Sequence, residues 1–538
     1  MAGASPQETP GGLRVEALLV YPQFPTTYWS HQYSLKFTGK KCLLPPLGLV
    51  TVAAMLPSHW RPTLVDLNIE PVSDRQLKRA DVVMLTGMQV QRQSVHEVLA
   101  RCRKLGVPTV IGGPYVTGEP HLLDDADHLV LGETEGTLAG FCEAFEAGRA
   151  PRITPPGEAP DMTTTPVPRY DLLRRGAYFH LSLQYSRGCP FTCEFCDIIV
   201  MFGRKPRTKS PEQICRELDA IHATGFRGSV FFVDDNFIGN KKAVRGMLPE
   251  LKEWQERRGW PFAFYTEASL NIAEDSTLMQ GMTRAGFDSV FIGIESPSEE
   301  SLAEAKKGQN IKGSLVDRVH EVLRHGLDVW GGFIVGFDND GPDIFDRQIE
   351  FIEEAAIPFA MVGILQALPN TPLETRLRTA GRLRPLQEAD QFGRTNFETN
   401  LPEAQMLSGY RRILETIYEP GRYFSRVLAM MGHRKDLAHL NSFQPQHLWW
   451  GLRALMAQGI FSSYRKEYWR FLREARKRHP SRLVEAIQHG AAGHHFIEYT
   501  RRVVLPRLYD GSQRLAAAKA ALAAGARQLG SLPEATTD

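Results

Sequence analysis

The sequence predicts an α/β protein in three parts: an N-terminal doubly wound, Rossmann-like parallel sheet, a central partial (β/α)6 barrel and a helical C-terminal region. Three observations carry this reading. Short apolar runs alternate with helix-length amphipathic stretches twice over, from 14 to about 147 and again from about 178 to 395. A Pro- and Thr-rich stretch, PRITPPGEAPDMTTTPVPRY (151–170), separates the two series. Beyond about 400 no strand-like run of comparable strength recurs. The implied boundaries are 14–150, 175–395 and 396–538.

The first twelve residues are rich in Pro, Gly and Ser and read as a loose tail. The strands of the first series are VEALLVYP (15–22), TLVDLN (63–68), DVVMLTG (81–87), TVIGG (109–113) and HLVLGE (128–133), with helices such as SVHEVLARCRKLG (94–106) between them. Doubly wound sheets bind ligands beyond the carboxyl ends of their strands. That places Thr86-Gly87-Met88, Gly112-Gly113-Pro114 and Gly132-Glu133 among the candidate loops. The second series offers LSLQYSRG (181–188), SVFFVDD (229–235), PFAFYTE (261–267), SVFIGIE (289–295), DVWGGFIVG (328–336) and AMVGILQ (360–366). Barrel active sites also lie at the carboxyl ends of the strands. The chain closes on an Ala-rich, then polar tail (513–538) that is expected to fray.

Bulk properties narrow the function. Basic and acidic residues number 63 and 61, so nothing global argues for nucleic acid. No run reaches the roughly eighteen apolar residues of a membrane span. The opening MAGASPQETPGGLRVEALLV lacks a basic segment before an apolar core, which suggests a cytoplasmic protein. Of seven cysteines, three fall within eight residues and the others are scattered, which is no disulfide framework.

Those three are Cys189, Cys193 and Cys196 in Gly188-Cys-Pro-Phe-Thr-Cys-Glu-Phe-Cys-Asp197, directly after the first strand of the second series. Three thiolates can hold three irons of a cubane 4Fe–4S cluster and leave the fourth iron open. A zinc site would want a fourth ligand, and none is adjacent. Cys215, on the following helix, reads as an ordinary buried cysteine.

The spacing, Pro190, Phe195 and the position after strand one resemble the radical S-adenosylmethionine (SAM) superfamily. The resemblance implies that the open iron chelates SAM and that reductive cleavage yields a 5′-deoxyadenosyl radical. It carries further expectations residue by residue. Asp234-Asp235-Asn236 stands where the family often has Gly-Gly-Glu touching the SAM amino group. Glu267 ends strand three, and Gly293-Ile294-Glu295 ends strand four, where a polar residue meets the ribose or the methionine carboxylate. Gly331-Gly332-Phe333-Ile334 resembles the backbone stretch along adenine. For each carboxylate, an ion pair at a strand end is the structural alternative.

A doubly wound domain before such a barrel resembles the cobalamin-binding subfamily, and LLPPLGLVTVAAMLP (43–57) adds to the likeness. The string D-x-H-x-x-G, which brings a histidine beneath cobalt, is absent. The resemblance therefore implies cobalamin held without a histidine ligand. Thr86, Gly87 and Gln91 belong to a loop that would pass beneath the corrin, and Gly112 and Gly113 would admit the nucleotide tail. A domain that has lost its ligand is the alternative. No G-x-G-x-x-G string points to a dinucleotide.

The whole pattern is similar to the branch that includes the hopanoid C-2 methylases. It implies a methyltransferase acting on an unactivated carbon, with SAM as both radical source and methyl donor to cobalamin. The alternative is a cyclisation or rearrangement without methyl transfer. An RNA methylthiotransferase fits poorly, because Cys42, Cys102 and Cys142 are too dispersed for a second cluster, and an intact cysteine triad argues against a mere sensor. A flavodoxin- or ferredoxin-type electron donor is implied; the substrate, whether small molecule, lipid or peptide, is not. The segment 465–482 sets eight Lys or Arg against two Glu, interleaved with Tyr468, Trp469 and Phe471. It reads either as a solvated basic face or as a peripheral contact, through 464–482, with an anionic membrane.

Overall fold

Alternation of apolar side chains in the first strand, β1 (Val15–Tyr21), decides how the N-terminal sheet is covered. Ala17 and Leu19 point to one face, Leu18 and Val20 to the other, and all four are buried. A strand apolar on both sides belongs inside a parallel sheet with helices on each face. The computed structural model, which describes residues 14–384, 394–436 and 445–510, has that arrangement. It divides into two units: Met1–Pro190, Ile198–Glu267 and Arg284–Phe287 form the first, and Phe191–Asp197, Ala268–Thr283 and Asp288–Asp538 the second.

In the first unit, β1 is followed by β2 (Trp60–Asp66), β3 (Val82–Thr86), β4 (Thr109–Gly112), β5 (His128–Val130) and β6 (Ile153–Thr154). They form one parallel sheet in the order β2-β1-β3-β4-β5-β6. Between them run α1 (Gln32–Thr38), α2 (Leu47–Met55), α3 (Asp74–Arg79), α4 (Arg92–Leu105), α5 (Pro114–Gly118) and α6 (Leu138–Glu146). Leu49 and Ala53 of α2 and Leu138 and Phe141 of α6 pack with Ala17 and Leu19. Leu77 of α3 and Val95, Val98 and Leu99 of α4 pack with Leu18 and Val20. The sheet extends past the expected boundary, because Ile153–Thr154 pairs with β5 as an edge strand. Two residues are too few for a period-2 pattern to be seen.

The rest of the first unit carries β7 (Leu181–Leu183), the short antiparallel pair β8 (Ser186–Arg187) and β9 (Arg207–Thr208), β10 (Gly228–Phe232) and β11 (Phe262–Ala268). Helices α7 (Ile198–Met201), α8 (Pro211–Ala223) and α9 (Lys241–Arg257) intervene. The strands β11, β10 and β7 lie parallel in that order. The run 181–188, read as one strand, is thus two, and the second turns to pair with Arg207–Thr208. A buried ion cluster ties this part to the sheet before it. Arg187 lies 2.7 Å from Glu133 and 2.8 Å from Glu135, and Arg207 lies 2.6 Å from Glu133. Glu133, at the carboxyl end of β5, is thereby committed to this ion cluster.

Besides the segment 191–197, the second unit carries most of α10 (Ser276–Ala285) and of β12 (Phe287–Glu295). It continues with α11 (Glu299–Glu304), α12 (Leu315–Arg324), β13 (Asp328–Val335), α13 (Ile344–Glu354), β14 (Phe359–Ile364) and α14 (Pro372–Thr379). β12, β13 and β14 are parallel. The helical region follows as α15 (Glu403–Ile417), α16 (Pro420–His433), α17 (Pro445–Met456), a π-helical turn (Ala457–Phe461), α18 (Arg465–Arg478) and α19 (Leu483–Tyr499). It covers the outer edge of β14: the hydroxyls of Tyr418 and Tyr410 donate to the carbonyls of Ala360 (2.6 Å) and Val362 (3.0 Å). Edge-strand carbonyls buried without such donors would be costly. His489 of α19 meets Asp328 at the start of β13 at 2.8 Å. In α18, Tyr468, Phe471, Leu472 and Ala475 face this helical core, and of the three aromatic residues read among its cations Trp469 alone is exposed. The expected tails, 1–12 and 513–538, lie outside the described residues. No described helix is long and apolar enough to cross a membrane.

Candidate active site

The cysteine segment leaves β8 through Gly188, whose φ of +92° and close surroundings demand glycine: a Cβ there would sit 3.0–3.2 Å from the carbonyl oxygens of Gly203, Lys205 and Phe202. The Cys189 amide donates to one of these, Gly203 O, at 3.3 Å. The next residues are pinned within the second unit. Glu194 N donates to Ala305 O (3.0 Å), Glu194 O accepts from Leu373 N (3.0 Å), and its carboxylate meets Arg376 at 2.7 Å. None of Cys189, Cys193 and Cys196 is in a disulfide, and all three are half-buried. Among the described residues, no group of three or more His, Cys, Asp or Glu converges on a single-ion site.

Amide donors approach two of the sulfurs. Asn236 Nδ2 lies 3.7 Å from Cys189 Sγ, and Gln309 Nε2 lies 3.8 Å from Cys193 Sγ. Lys307, two residues before Gln309, pairs with Glu295. Its ammonium stands over the Phe195 ring at 5.9 Å. Burial disfavours the Lys307 charge, but Glu295 and the thiols of Cys193 and Cys196 outweigh that and hold its pKa above the ordinary lysine range.

Around Asp234 the first unit gathers three carboxyl groups. Asp234 is fully buried and accepts from the amides of Ser186 and Tyr185, so it anchors the backbone that leads into the cysteine segment. Burial pushes its carboxyl up to about 6 in spite of those hydrogen bonds. Glu267 is half-buried at the end of β11. Burial, and then the negative charges of Asp235 and Asp234, push it up to about 8, so at neutral pH it holds a proton.

Glu295 sits in a register shift of β12 with φ +69°, a conformation non-glycine residues avoid. Asn310 Nδ2 holds the shift by donating to Gly293 O and Ile294 O, both at 3.1 Å. The strain aims the carboxylate at Lys307, within 2.8 Å of which a Cβ on Gly293 would fall. On β13, Gly332 is buried against Phe291, whose ring a Cβ would meet at 2.7 Å. Packing against an aromatic ring is therefore one reason for its small size.

At the carboxyl end of the N-terminal sheet the strand order reverses between β1 and β3, the crevice where such folds take ligands. Thr86 pairs in register with Gly112. Gly113, at φ +97°, lies so close that a Cβ would be 2.2 Å from Thr86 Oγ1. The buried Gln91 side chain spans the crevice, donating to Pro22 O (2.5 Å) and accepting from Met88 N (3.0 Å). It shapes the loop with both ends of its amide. Met88 and Val90 of that loop and Trp29 of the loop after β1 are exposed. In the same unit, a cavity of about 340 Å³ is lined by Gln23, residues 67–72 and the α4 residues Ser94, Glu97, Val98 and Arg101, and by none of the glycines.

Lys307, Gln309 and Asn310 were not singled out from the sequence, and Asn236 was expected near the SAM amino group as part of Asp234-Asp235-Asn236 rather than at a sulfur. The string KKGQN (306–310) was the available signal: two cations and two amides follow α11.

Comparison with known proteins places these features. Residues 41–141 match the model of the B12 binding domain, 183–352 that of the radical SAM superfamily and 371–506 a domain of unknown function, DUF4070. An uncharacterised methyltransferase of Synechocystis sp. is 47% identical over 77% of this chain and 78% of its own length. The hopanoid C-2 methylase of Rhodopseudomonas palustris is 34% identical over 90% of this chain and 93% of its own. Among solved structures, the radical SAM methyltransferase TsrM from Kitasatospora setae, with cobalamin and a 4Fe–4S cluster bound, superposes with a TM-score of 0.60 at 14% identity, covering 82% of this chain and 99% of that one. At that identity the likeness is one of fold.

Proposed function

The chain belongs to the family of cobalamin-dependent radical SAM methyltransferases, and from that premise we propose that it adds a methyl group to an unactivated carbon of its substrate. The observation that carries the reading is the provision around the cysteine segment: three thiols, none in a disulfide, two of them met by side-chain amides, with a buried cation beside Cys193 and Cys196. A lone structural cysteine needs none of this. A thiolate-ligated cluster needs donors to its sulfurs.

In this reading Cys189, Cys193 and Cys196 ligate the 4Fe–4S cluster. Asp235 and Glu267, and Glu295 and Gly332, each serve as contacts to SAM, and Asp234 holds the backbone that leads into the cysteine segment. Thr86, Gly87, Gly112 and Gly113 form the cradle for cobalamin, which the close Gly113–Thr86 approach supports, and Gln91 keeps that cradle open. The bound groups supply the electron for reductive cleavage of SAM and a carrier for the methyl group. The chain's own residues bind and orient. Lys307 offers a fixed positive charge to a carboxylate or to the sulfurs. Glu267, protonated when empty, presents a carboxylate to a cationic ligand by releasing its proton. The segments 14–154, 175–395 and 396–510 act as the cobalamin, SAM and covering domains, and a flavodoxin- or ferredoxin-type protein is the electron donor.

The test is anaerobic reconstitution with methyl-labelled SAM, reductant and cobalamin, followed by mass spectrometry of products from candidate extracts. Label is expected in a substrate carbon, with S-adenosylhomocysteine and 5′-deoxyadenosine both formed. A product that gains no labelled methyl would hand the reaction to the rearrangement class.

A further inference from the structure

Helix α17 and the π-helical turn after it expose apolar side chains to a degree that a soluble surface does not need. Leu448 is 70% exposed, Trp449 54%, Ile460 57% and Phe461 80%, and Leu452 and Met456 are exposed between them. Leu448, Leu452 and Met456 recur every fourth residue, so they form one stripe along the helix. Ala454, Gln458 and Gly459 are buried on the other side. Contiguous exposed apolar surface of this kind marks a site of interaction.

The surroundings are cationic. The Arg453 guanidinium lies over the Trp449 ring at 5.4 Å. The Trp469 indole of α18 donates to Gly459 O at 2.9 Å, which seats α18 against the π-helical turn beside Ile460 and Phe461. Three and four residues from Trp469 on the same helical face stand Lys466, Arg465 and Arg473, all exposed, and Arg470 adjoins it. Since Tyr468, Phe471, Leu472 and Ala475 are spent on the helical core, α18 cannot enter a bilayer by its own apolar face.

We propose that the stripe Leu448–Phe461 is an interfacial membrane anchor, seated in an anionic lipid bilayer with the cations of α18 against the headgroups. The division of labour is apolar insertion by α17 and the π-helical turn, and charge attraction by α18. Aromatic and leucine side chains beside Lys and Arg are the chemistry of an in-plane interfacial helix. A protein partner would explain the apolar stripe equally well, but the excess of cations on α18, eight Lys or Arg against two Glu over 465–482, favours a surface that is uniformly anionic.

Vesicle co-sedimentation of the full chain, purified anaerobically, tests this. Phosphatidylcholine vesicles are compared with vesicles that also contain phosphatidylglycerol. The wild type should pellet with the anionic vesicles and be released at ~0.5 M salt, where the Debye length falls to a few ångströms. Leu448→Ser/Phe461→Ser, both at exposed positions, should weaken partition at least about tenfold, since interfacial binding scales with buried apolar area. Arg470→Glu/Arg473→Glu should remove the preference for anionic lipid. Circular dichroism should match the wild type for both variants. Absence of wild-type binding, or equal binding by the serine variant, overturns the proposal. So does a dimer in sedimentation velocity that the serine substitutions convert to monomer, which would make a second copy the occupant.

Discussion

One amide side chain bears directly on the cysteine segment. Gln309 donates to Cys193 Sγ at 3.8 Å, and hydrogen bonds to cluster sulfurs stabilise the more negative, reduced state. Gln309→Leu should move the cluster's midpoint potential to a more negative value by tens of millivolts, within the ~59 mV of a tenfold change in a one-electron equilibrium. Redox titration followed by electron paramagnetic resonance reads this directly; an unmoved midpoint would show that the amide does not reach the sulfur. Glu267 makes a prediction of the opposite kind, in the protein without ligands. Its carboxyl is pushed up to about 8, so the folded chain keeps a proton that the unfolded chain releases near 4.5. Where the folded state binds more protons, stability falls as pH rises. Denaturation midpoints should therefore decline from about pH 5 to about pH 8 and level off above, and Glu267→Gln should flatten part of that decline. Identical slopes for both proteins would mean that the carboxyl is already ionised. None of this was legible in residue identity alone: Glu267 and Glu295 both end strands, yet one is surrounded by carboxyls and the other by Lys307.

Among the elements, the loops after β3 and β4 act as one piece because Gly113 leaves no room between them. Gly113→Ala would put a Cβ 2.2 Å from Thr86 Oγ1 and hold an L-residue at φ +97°. We expect hydroxocobalamin affinity, read by absorbance titration, to fall at least about tenfold, since a clash plus a left-handed backbone costs more than ~1.4 kcal/mol. Adding Thr86→Ala removes the clash but not the backbone cost, so the double variant should recover part of the loss. Strictly additive losses would count against the shared cradle. The pair of glycines was visible as a string, but which of the two is indispensable was not, because that depends on a side chain twenty-seven residues earlier in sequence brought alongside by strand pairing. The strand 181–188 shows the same limit. Its apolar pattern is continuous, while pairing to Arg207–Thr208 breaks it in two.

For the molecule as a whole, the N-terminal sheet and the first barrel strands are joined by buried charge as well as by chain. Arg187 and Arg207 share Glu133, with Glu135 completing the cluster. Buried ion pairs of this kind contribute geometry more than net stability, because desolvation offsets much of the Coulomb attraction. The helical region has a comparable task at the far edge of β14, where Tyr410 and Tyr418 satisfy carbonyls that no further strand pairs. It also presents α17 outward, so the region that completes the barrel's edge carries the surface assigned here to the membrane.

The sequence alone determined the succession of sheet, barrel and helices, the cysteine triad and the family. These follow from features local in the chain: periodicity over a few residues, and the spacing of three thiols within eight positions. Only the tertiary structure decided which residues surround the triad. Asn236 and Gln309 reach sulfurs 47 and 116 residues away, distances at which no periodic signal survives. It also decided the face of the basic segment. The sequence set Tyr468, Trp469 and Phe471 side by side among cations, and packing buried two of the three. Burial is a property of what a helix is packed against, and α18 packs against α16, α19 and the π-helical turn, which no reading of 464–482 by itself contains.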